Sequence, residues 1–584
     1  MDTLTSDVSA RTAAEHWLSD FAAALTSGDG EAIAALFGEE CYWRDILAFT
    51  WDLHTTAGAS AIARRLRPAL EDVMPRNVQL ANRRTPPRAV TRAGTACVEV
   101  IFTFETVIGL CNGVVRLVSE DGRPRAWTLM TALDEIRGHE DPANGKRWQN
   151  VDWKRNFGGE NWADRRRQAT AYAERDPAVL VVGAAQAGLM ITARLSLLGV
   201  DTLLIDREPR LGDSWRRRYH ALTLHNETRV NHFPYMPFPR SWPVFIPKDM
   251  LANWFELYSE AMELNAWTGT ELVAADYDDA KKHWTATLKQ SDGSERVMRP
   301  RHIVFCNGVS TIPKRPKLPG LEEFKGIVRH SGEAGSGLDW TGKRALVLGT
   351  GTSGHDVAQD LAVSGAHVTM IQNGPTLIVS LKEAQAPYAL YDEDIPFEDL
   401  DLLAISSPYP IYQRSHQQIT RKNAEADRAL LEGLKRRGFK LTSGPDGTGW
   451  QIMYQNRGGG YYFDAGCSQM IADGGIGLIQ FDDIERFCAE GARLKDGSVQ
   501  LADVIMLATG YLGQKEAVRR IVGDAITDRI GPVWGFDAEG ELAGMWRPTG
   551  QPGLWFLGGG LAQCRIFSKV LALQIKAREL GIAP

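Results

Sequence analysis

"VLVVGAAQAGLMITARLSLLGVDTLLID", residues 179–206, reads as a strand, a glycine turn, a helix and a second strand. Its apolar runs "VLVV" and "TLLI" predict buried strands, and the longer segment between them predicts a helix. Residues 345–372, "ALVLGTGTSGHDVAQDLAVSGAHVTMIQ", repeat this order around the turn "GTGTSG". Such turns let a pyrophosphate approach the backbone at a helix N-terminus. The sequence therefore predicts an α/β protein with two nested dinucleotide-binding (Rossmann-like) domains.

The first unit is predicted to bind FAD. Asp206 ends its second strand, where a carboxylate accepts hydrogen bonds from the ribose of an adenosine. Ala185 stands where a second glycine is usual, and its Cβ is expected to weaken FAD binding without abolishing it, provided its φ is negative. "RLGDSW" (210–215), "DVIMLATGY" (503–511) and the C-terminal segment around Gln563 continue the flavin-binding pattern. The candidate FAD-binding residues are Gly183, Ala185, Gln186, Gly188, Asp206, Arg207, Gly212, Trp215, Thr509, Gly510 and Gln563.

The second unit is predicted to bind the nicotinamide coenzyme. A carboxylate at the end of its second strand would repel a 2′-phosphate, and an arginine would bind one. Gln372 and Asn373 stand there instead, so both NADH and NADPH are expected to serve. The candidate coenzyme-binding residues are Gly349, Gly351, Thr352, Ser353, Gly354, Gln372 and Asn373.

The N-terminal region has a different pattern, with three amphipathic helices followed by alternating strands. It resembles the cone-shaped superfamily of nuclear transport factors and ketosteroid isomerases, which also contains the SnoaL-like proteins. Trp43, Asp45 and His54 could form an acid–base pocket in such a cone, or the region could be a lid or a dimerisation surface. The predicted division is 1–150 for this α+β cone, 151–176 for a linker, 177–340 for the first part of the FAD-binding domain, 341–500 for the NAD(P)H-binding domain with a substrate-side insert, and 501–584 for the second part of the FAD-binding domain.

Composition excludes several classes of function. The chain of 584 residues has 66 Lys and Arg against 72 Asp and Glu, which gives no attraction to nucleic acid. Its seven cysteines form no C-x-x-C pair, so neither a metal site nor a redox disulfide is predicted. No export signal and no apolar run of about 18 residues is present, so no stable membrane anchor is expected. We expect a cytoplasmic homodimer that acts on a small-molecule substrate.

Several motifs together carry a family resemblance. They are "VVGAAQAGL", "LTLHNETRVNHFPYMPFP" (222–239), "FKGIVRH" (324–330), "VLGTGTSGHD" and "LATGY". From about residue 176 the chain resembles the class B flavoprotein monooxygenases, which comprise the flavin-containing monooxygenases, the plant YUCCA-type enzymes and the Baeyer–Villiger monooxygenases. The cone-like N-terminal region is similar to that of the type II branch.

The resemblance implies a reaction and its cofactors. NAD(P)H would reduce FAD, O₂ would add as cosubstrate to give a flavin C4a-(hydro)peroxide, and this species would oxygenate an amine or sulfide or insert oxygen beside a ketone. Two alternatives stay open: a flavoprotein NAD(P)H oxidase or reductase without oxygen insertion, and a ligand-sensing flavoprotein.

The resemblance also implies catalytic residues. Aligned on "MPFP", His225 and Asn226 fall over the flavin. His330 ends the pattern F-x-G-x-x-x-H, which in the family lies on the linker between the two dinucleotide folds and organises the nicotinamide domain. Ala334 matches neither the Tyr or Phe of flavin-containing monooxygenases nor the Trp of the Baeyer–Villiger group, so the reaction type stays open.

Overall fold

The computed structural model describes residues 7–144, 156–333 and 339–584. The N-terminal region is built on one seven-stranded sheet, in the order β2-β1-β7-β6-β5-β3 with β4 paired to β5. Helix α1 buries Trp17 and Phe21 against this sheet. The likeness to the cone-shaped superfamily stays a prediction. The elements are α1 (Asp7–Ser27), α2 (Gly30–Ala34), β1 (Phe37–Ile46), β2 (Leu53–Ala57), α3 (Ala59–Val73), β3 (Arg76–Leu80), β4 (Arg88–Arg92), β5 (Thr95–Glu105), β6 (Gly109–Glu120) and β7 (Arg123–Ile136).

The remainder of the chain alternates strands and helices. Its first stretch contains α4 (Trp162–Ala171), β8 (Val179–Val182), α5 (Gln186–Leu197), β9 (Thr202–Ile205), α6 (Asp213–Arg216), β10 (Thr223–Glu227), β11 (Phe245–Pro247), α7 (Lys248–Ala261), β12 (Ala266–Trp267), β13 (Thr270–Asp278), β14 (His283–Gln290), β15 (Glu295–Met298), β16 (His302–Phe305) and β17 (Ile312–Pro313). The second contains β18 (Ile327–His330), β19 (Arg344–Leu348), α8 (Thr352–Val363), β20 (His367–Gln372), β21 (Leu377–Ser380), α9 (Phe397–Ala404), α10 (Tyr409–Ala426), α11 (Arg428–Arg436), α12 (Gly449–Arg457), β22 (Tyr461–Asp464), α13 (Cys467–Asp473), β23 (Gly477–Gln480), β24 (Ile484–Cys488), β25 (Gly491–Leu494), β26 (Val499–Leu501), β27 (Val504–Leu507) and β28 (Tyr511–Leu512). The last contains α14 (Gln514–Ile530), β29 (Leu554–Phe556) and α15 (Leu561–Glu579).

Two five-stranded parallel sheets confirm the predicted α/β fold. The first has the order β12-β9-β8-β16-β29, and the second has the order β18-β27-β19-β20-β23. Strands β8 and β16 are almost wholly buried, as expected when helices cover both faces of a parallel sheet. The first sheet is completed only by β29, so the second fold is inserted within the first. Each glycine turn directly follows the carboxyl end of a parallel strand, β8 in the first sheet and β19 in the second.

Strands β18 and β27 lie in the second sheet. The predicted boundaries at 340 and 501 assign both strands to the FAD-binding domain instead. β27 pairs with both β18 and β19. A short apolar run such as "VIML" fits the interior of either parallel sheet, so its sequence does not choose between them. The domain division therefore stays a prediction.

No helix in the described ranges is long and apolar enough to cross a membrane. Over the same ranges, no group of histidine, cysteine or acidic side chains is arranged to hold a metal ion.

Candidate active site

The first glycine turn has the geometry of a nucleotide cradle. Gly183 has a φ of 103°, which favours glycine. A Cβ on Gly188 would lie 1.9 Å from the carbonyl oxygen of Gly183, so only glycine lets α5 approach β8 this closely. Ala185 is the N-cap of α5 with φ −85° and ψ −166°, an extended conformation that alanine adopts without strain. The turn therefore fits a dinucleotide despite the missing second glycine.

Asp206 holds this turn from the end of β9. Its Oδ2 accepts the backbone N–H of Ala184 at 2.7 Å, and its Oδ1 accepts that of Glu208 at 2.9 Å. Burial raises the pKa of Asp206, and these two N–H groups partly oppose the rise. A carboxylate has about four acceptor sites, so two remain for ribose hydroxyls. Its neighbour Arg207 is exposed and lies 3.7 Å from Glu208.

Three of the predicted flavin-side segments are tied to one another. Trp215 Nε1 donates to Gln186 Oε1 at 3.3 Å, and Gln186 Nε2 donates to the Gly559 carbonyl oxygen at 3.4 Å. Gln563 Oε1 accepts the N–H of Gly560 at 3.1 Å, at the start of α15. Gly212, with φ 85°, precedes α6, and a Cβ there would lie 2.5 Å from the Ala252 carbonyl oxygen. These contacts join α5, α6 and α15 around the first turn.

The second turn repeats the cradle at the start of α8. Gly349 has a φ of 115°, and a Cβ on it would lie 2.4 Å from the Ala508 carbonyl oxygen. A Cβ on Gly354 would lie 2.2 Å from the oxygen of Gly349. Thr352 Oγ1 donates to the carbonyl oxygen of Tyr461 at 3.0 Å, and Ser353 follows it half-buried in the first turn of α8. This turn therefore also fits a dinucleotide.

Gln372 and Asn373, at the end of β20, differ in whether their side chains are free to contact a bound coenzyme. Gln372 is buried, and its Nε2 donates to the Lys440 carbonyl oxygen at 2.9 Å. Its Oε1 accepts the Lys440 N–H at 2.8 Å and Gln480 Nε2 at 3.1 Å. Asn373 is exposed. The side chain of Gln372 is therefore occupied by internal hydrogen bonds. Of these two residues, only Asn373 is exposed to solvent.

A cavity of about 1150 Å³ connects the first glycine turn to the insert, residues 380–470, and to the N-terminal sheet. The end of strand β4, the turn after it, Arg44 and Arg116 supply the N-terminal wall. The predicted site residues that line the cavity are Ala185, Gln186, Trp215, His225, Asn226 and Gln563. Aromatic rings supply much of the remaining wall, and those on the insert are Tyr388, Tyr391, Tyr409, Tyr412, Trp450, Tyr454, Tyr461 and Phe463. The cavity therefore combines the predicted flavin side with an aromatic chamber.

His225 faces a carboxylate from the other dinucleotide fold. Its Nε2 lies 3.6 Å from Asp356 Oδ2 on α8, and the hydroxyl of Tyr219 donates to the same oxygen. Burial lowers the pKa of His225, and Asp356 partly opposes this effect. Burial raises the pKa of Asp356, which His225 and Tyr219 partly oppose. Arg218, which has no ion-pair partner among the described residues, lies with its guanidinium carbon 5.6 Å from the Trp215 ring.

Asn226 is oriented by two hydrogen bonds. Its side-chain Nδ2 donates to the Tyr388 hydroxyl at 3.0 Å, and its backbone carbonyl oxygen accepts a hydrogen bond from Asn231 Nδ2 at 2.9 Å. Burial raises the pKa of Tyr388 to about 12, so this phenol stays neutral at physiological pH. The Asn226 amide is therefore fixed at the cavity wall.

His330 does not line the cavity. It is fully buried, its Nε2 donates to the Gly510 carbonyl oxygen at 3.0 Å, and its Nδ1 accepts the Gly332 N–H at 3.1 Å. Thr509 Oγ1 donates to the Lys314 carbonyl oxygen, and β17 pairs with β28. His330, Thr509 and Gly510 thus join the two segments that connect the dinucleotide folds. Ala334 lies outside the described residues.

The sequence analysis missed Arg218, Tyr219 and Asp356. Tyr219 and Asp356 are 137 positions apart, and no spacing rule relates them. A weak signal exists in "GTGTSGHD", where an acid follows directly on a turn predicted to bind phosphates.

The N-terminal candidates do not come together as an acid–base pair. Asp45 is buried, and its carboxylate accepts from the hydroxyls of Thr131 and Thr50 and from two backbone N–H groups. Trp43 Nε1 also donates to Thr131. His54 instead contacts Glu539 at 2.8 Å. The hydrogen bonds of Asp45 are thus internal to the N-terminal sheet, while His54 joins that sheet to the segment before β29.

Ion pairs join the N-terminal sheet to the insert. Glu99 contacts Arg88, Arg92 and Arg116 at 2.7–2.9 Å, and Glu393 of the insert contacts Arg88 and Arg92. Burial alone would raise the pKa of Glu99, but Arg116 and Arg92 outweigh it and lower it to about 2. These buried charges fix one wall of the cavity.

The two nested dinucleotide-binding folds, with an aromatic cavity at the first glycine turn, are typical of flavoproteins that bind a flavin and a nicotinamide coenzyme in separate domains. The profile of the flavin-binding monooxygenase-like family matches residues 211–392. The chain is 28% identical to indole-3-pyruvate monooxygenase YUCCA1 of Oryza sativa subsp. japonica over 358 residues, which are 60% of this chain and 80% of the relative. It is 30% identical to probable indole-3-pyruvate monooxygenase YUCCA3 of Arabidopsis thaliana over 350 residues, which are 57% of this chain and 72% of the relative.

Solved structures show the same fold. The NADP⁺-bound cyclohexanone monooxygenase mutant from Rhodococcus sp. Phi1 superposes with a TM-score of 0.52 at 18% identity, over 70% of this chain and 87% of that one. The chain belongs to the flavin-binding monooxygenase-like family. It is a flavin-dependent monooxygenase, which confirms the class predicted from its motifs.

Proposed function

We propose that the 1150 Å³ cavity is the oxygenation site and that it receives a small organic substrate with an aromatic or apolar body. The observation that carries this proposal is the composition of the cavity wall. Ala185, Gln186 and Trp215 of the predicted flavin side line the same space as His225, Asn226 and the aromatic rings of the insert. Aromatic walls favour apolar substrates and exclude water.

FAD would be held by the first turn, Asp206, Gln186, Trp215 and Gln563, and the coenzyme by the second turn. When bound, FAD would accept hydride from the coenzyme and activate O₂. Arg218 is an unpaired cation near residues of both folds, where a negatively charged coenzyme group would offset its charge. Since Gln372 is engaged internally and Asn373 is neutral, we expect NADH and NADPH both to serve.

His225 and Asn226 are proposed to act on the reacting atoms. Burial keeps the pKa of His225 low, so its imidazole is neutral and can hold or accept a proton at a ring nitrogen. Asp356, on the coenzyme fold, would stabilise the imidazolium when a proton arrives. Asn226 would present its amide to the same space, oriented by Tyr388. The aromatic wall would keep water from the oxygenating centre.

The test is product analysis under ¹⁸O₂ with a mixed panel of ketones, sulfides and amines. The panel includes indole-3-pyruvate, the compound in the names of the plant relatives. We expect one labelled oxygen atom in the product for each coenzyme oxidised. Stoichiometric hydrogen peroxide with every compound would instead support an oxidase without oxygen insertion. The same panel distinguishes Baeyer–Villiger oxidation from heteroatom oxygenation.

Location and assembly are further parts of the proposal. All seven cysteines are free and buried, which is consistent with a reducing compartment such as the cytoplasm. The resemblance of the N-terminal region supports a homodimer. Cell fractionation and analytical ultracentrifugation test these two points separately.

A further inference from the structure

Helix α10 places one buried histidine on the cavity wall. His416 is 5% exposed and lines the cavity. Across the part of the chain that the structure describes, neither of its ring nitrogens has a hydrogen-bond or ion-pair partner. Its ring contacts that of Tyr412 edge to face, with centroids 4.2 Å apart. His416 is therefore a buried polar side chain whose ring nitrogens are free to hydrogen-bond a molecule in the cavity.

Other enclosed histidines of the described chain have at least one partner, although Nε2 of the fully buried His355 has none and only its Nδ1 contacts the Gly351 carbonyl oxygen, at 3.2 Å. His225 faces Asp356, His330 bonds two backbone groups, and His302 contacts Glu579 at 3.2 Å. Unlike the enclosed Nε2 of His355, the unpaired nitrogens of His416 are open to the cavity, so a ligand can reach them. The imidazole beside Tyr412 is therefore placed to hydrogen-bond a molecule in the cavity.

The tyrosine next to His416 is fixed by its own hydrogen bonds. The Tyr412 hydroxyl lies 3.0 Å from Gln451 Oε1 and 3.1 Å from Gln455 Oε1. Gln451 also hydrogen-bonds Tyr388, which in turn accepts from Asn226. Two tyrosines and a glutamine therefore separate His416 from Asn226 along the wall. His416 is thus connected to Asn226 through three intervening side chains and does not contact it directly.

We propose that His416 is a substrate-recognition residue that hydrogen-bonds a neutral hydroxyl, carbonyl or amide group at the end of the substrate remote from the reacting atom. This inference rests on the proposed function of the cavity. The substrate class is an aromatic molecule with a reacting sulfur, nitrogen or ketone at one end and a polar group at the other.

The ionisation state of His416 agrees with a neutral polar group. Burial lowers the pKa of His416 to about 4, so one ring nitrogen donates and the other accepts at physiological pH. Such a site accepts both donor and acceptor groups. It discriminates against analogues that lack them, because the imidazole then stays unpaired.

The test compares two matched sulfides with the FAD-loaded enzyme. Methyl p-tolyl sulfide and 4-(methylthio)benzyl alcohol present the same reacting sulfur, and they differ in the hydroxyl at the opposite end. We expect the wild-type kcat/KM to favour the alcohol about tenfold, which corresponds to 1.4 kcal/mol. In His416→Phe this ratio should fall to about one, mainly through KM, while His416→Gln should retain part of it. Gln417→Ala is the matched control, since Gln417 lies on the same helix outside the cavity lining.

Binding is measured separately, by calorimetric titration of both sulfides into oxidised holoenzyme without coenzyme. Tighter binding of the alcohol that is lost in His416→Phe supports the inference, even if no oxygenated product forms and the proposed function fails. Oxygenation of both sulfides with a ratio near one in the wild type would overturn the inference and leave the proposed function standing. An unchanged preference in folded His416→Phe and His416→Gln would overturn it equally. Melting temperature and FAD content show that the variants are folded.

Discussion

The two glycine turns have nearly the same backbone and different surroundings. Gly183 and Gly349 both have positive φ, and Ala185 and Gly351 both cap a helix in an extended conformation. At the end of the second strand, however, Asp206 binds its own turn while Gln372 binds the backbone of Lys440. The comparison teaches that backbone geometry sets the cradle in both folds, and we propose that the side chain at the end of the second strand sets the choice of nucleotide.

The largest effects are expected when the last glycine of each turn is replaced by alanine. Gly188→Ala should abolish FAD binding, because a Cβ 1.9 Å from the Gly183 oxygen forces α5 away from β8. Gly354→Ala should leave FAD in place and slow coenzyme-dependent flavin reduction by about 100-fold or more, equivalent to about 2.7 kcal/mol. Flavin absorbance and anaerobic stopped-flow reduction are the measurements. Loss of FAD from Gly354→Ala would contradict the assignment of the two turns.

The contact between the folds is tested by His225→Ala and Asp356→Asn. Removal of the imidazole should lower oxygenation kcat/KM by about 100-fold, the usual lower size of a general acid–base contribution. In Asp356→Asn the imidazolium loses its carboxylate, so the pKa of His225 falls further and the acidic limb of the pH profile moves to lower pH. Arg218 and Tyr219 also face this pair, and both variants keep these two residues as in the wild type.

Histidine NMR signals, followed through the same titration, check the direction of that shift. Asp360→Asn, one turn further along α8, is the control. An acidic limb at its wild-type position in Asp356→Asn would show that His225 does not titrate against this carboxylate.

The two connecting segments are tested by His330→Ala. Its loss leaves the Gly332 N–H and the Gly510 carbonyl oxygen without this partner, so we expect a stability loss of about 2 kcal/mol with FAD retained. Urea unfolding measures the loss, and exposed Lys325→Ala in the same stretch is the control. An unchanged unfolding midpoint together with more hydrogen peroxide per product would favour a role in coupling instead.

Coenzyme choice is tested at the exposed end of β20. Asn373→Arg should improve NADPH over NADH by about tenfold, or 1.4 kcal/mol, since a guanidinium can bind a 2′-phosphate bidentately. Asn373→Gln should change the ratio little. A wild-type preference for NADPH above about 100-fold would mean that another residue already binds this phosphate.

The smallest effect is expected at the middle position of each turn. Ala185→Gly should alter the FAD dissociation constant less than about threefold, because alanine is already unstrained there. Gly351→Ala should likewise be mild, since the nearest atom to a new Cβ is 3.9 Å away. Calorimetry of FAD and coenzyme binding measures both. A large gain in FAD affinity in Ala185→Gly, or a large loss of coenzyme affinity in Gly351→Ala, would show that the pyrophosphate lies closer to the backbone than this geometry allows.

The predictable parts of the molecule were those fixed by local pattern. Both turns, their helices and Asp206 follow from glycine spacing and from apolar strands, because these features act within about thirty residues. The engagement of Gln372 by Lys440 and the pairing of His225 with Asp356 depend on segments that meet only in three dimensions. The same holds for β27, whose apolar run fits either sheet. The expected weakening of FAD binding by Ala185 stays a prediction, although its φ of −85° shows no strain.

The charged contact between Glu99 and Glu393 through Arg88 and Arg92 has an evolutionary consequence. Each arginine serves carboxylates from both regions, so a substitution on one side would leave a charge unmatched on the other. The effect is expected to be largest at Glu99, which is almost wholly buried, because a buried charge that loses its partner destabilises a protein strongly. Because the two regions share this set of charges, neither can be exchanged alone without leaving a charge unmatched in the other. A viable substitution in one region is therefore expected to need a compensating substitution in the other.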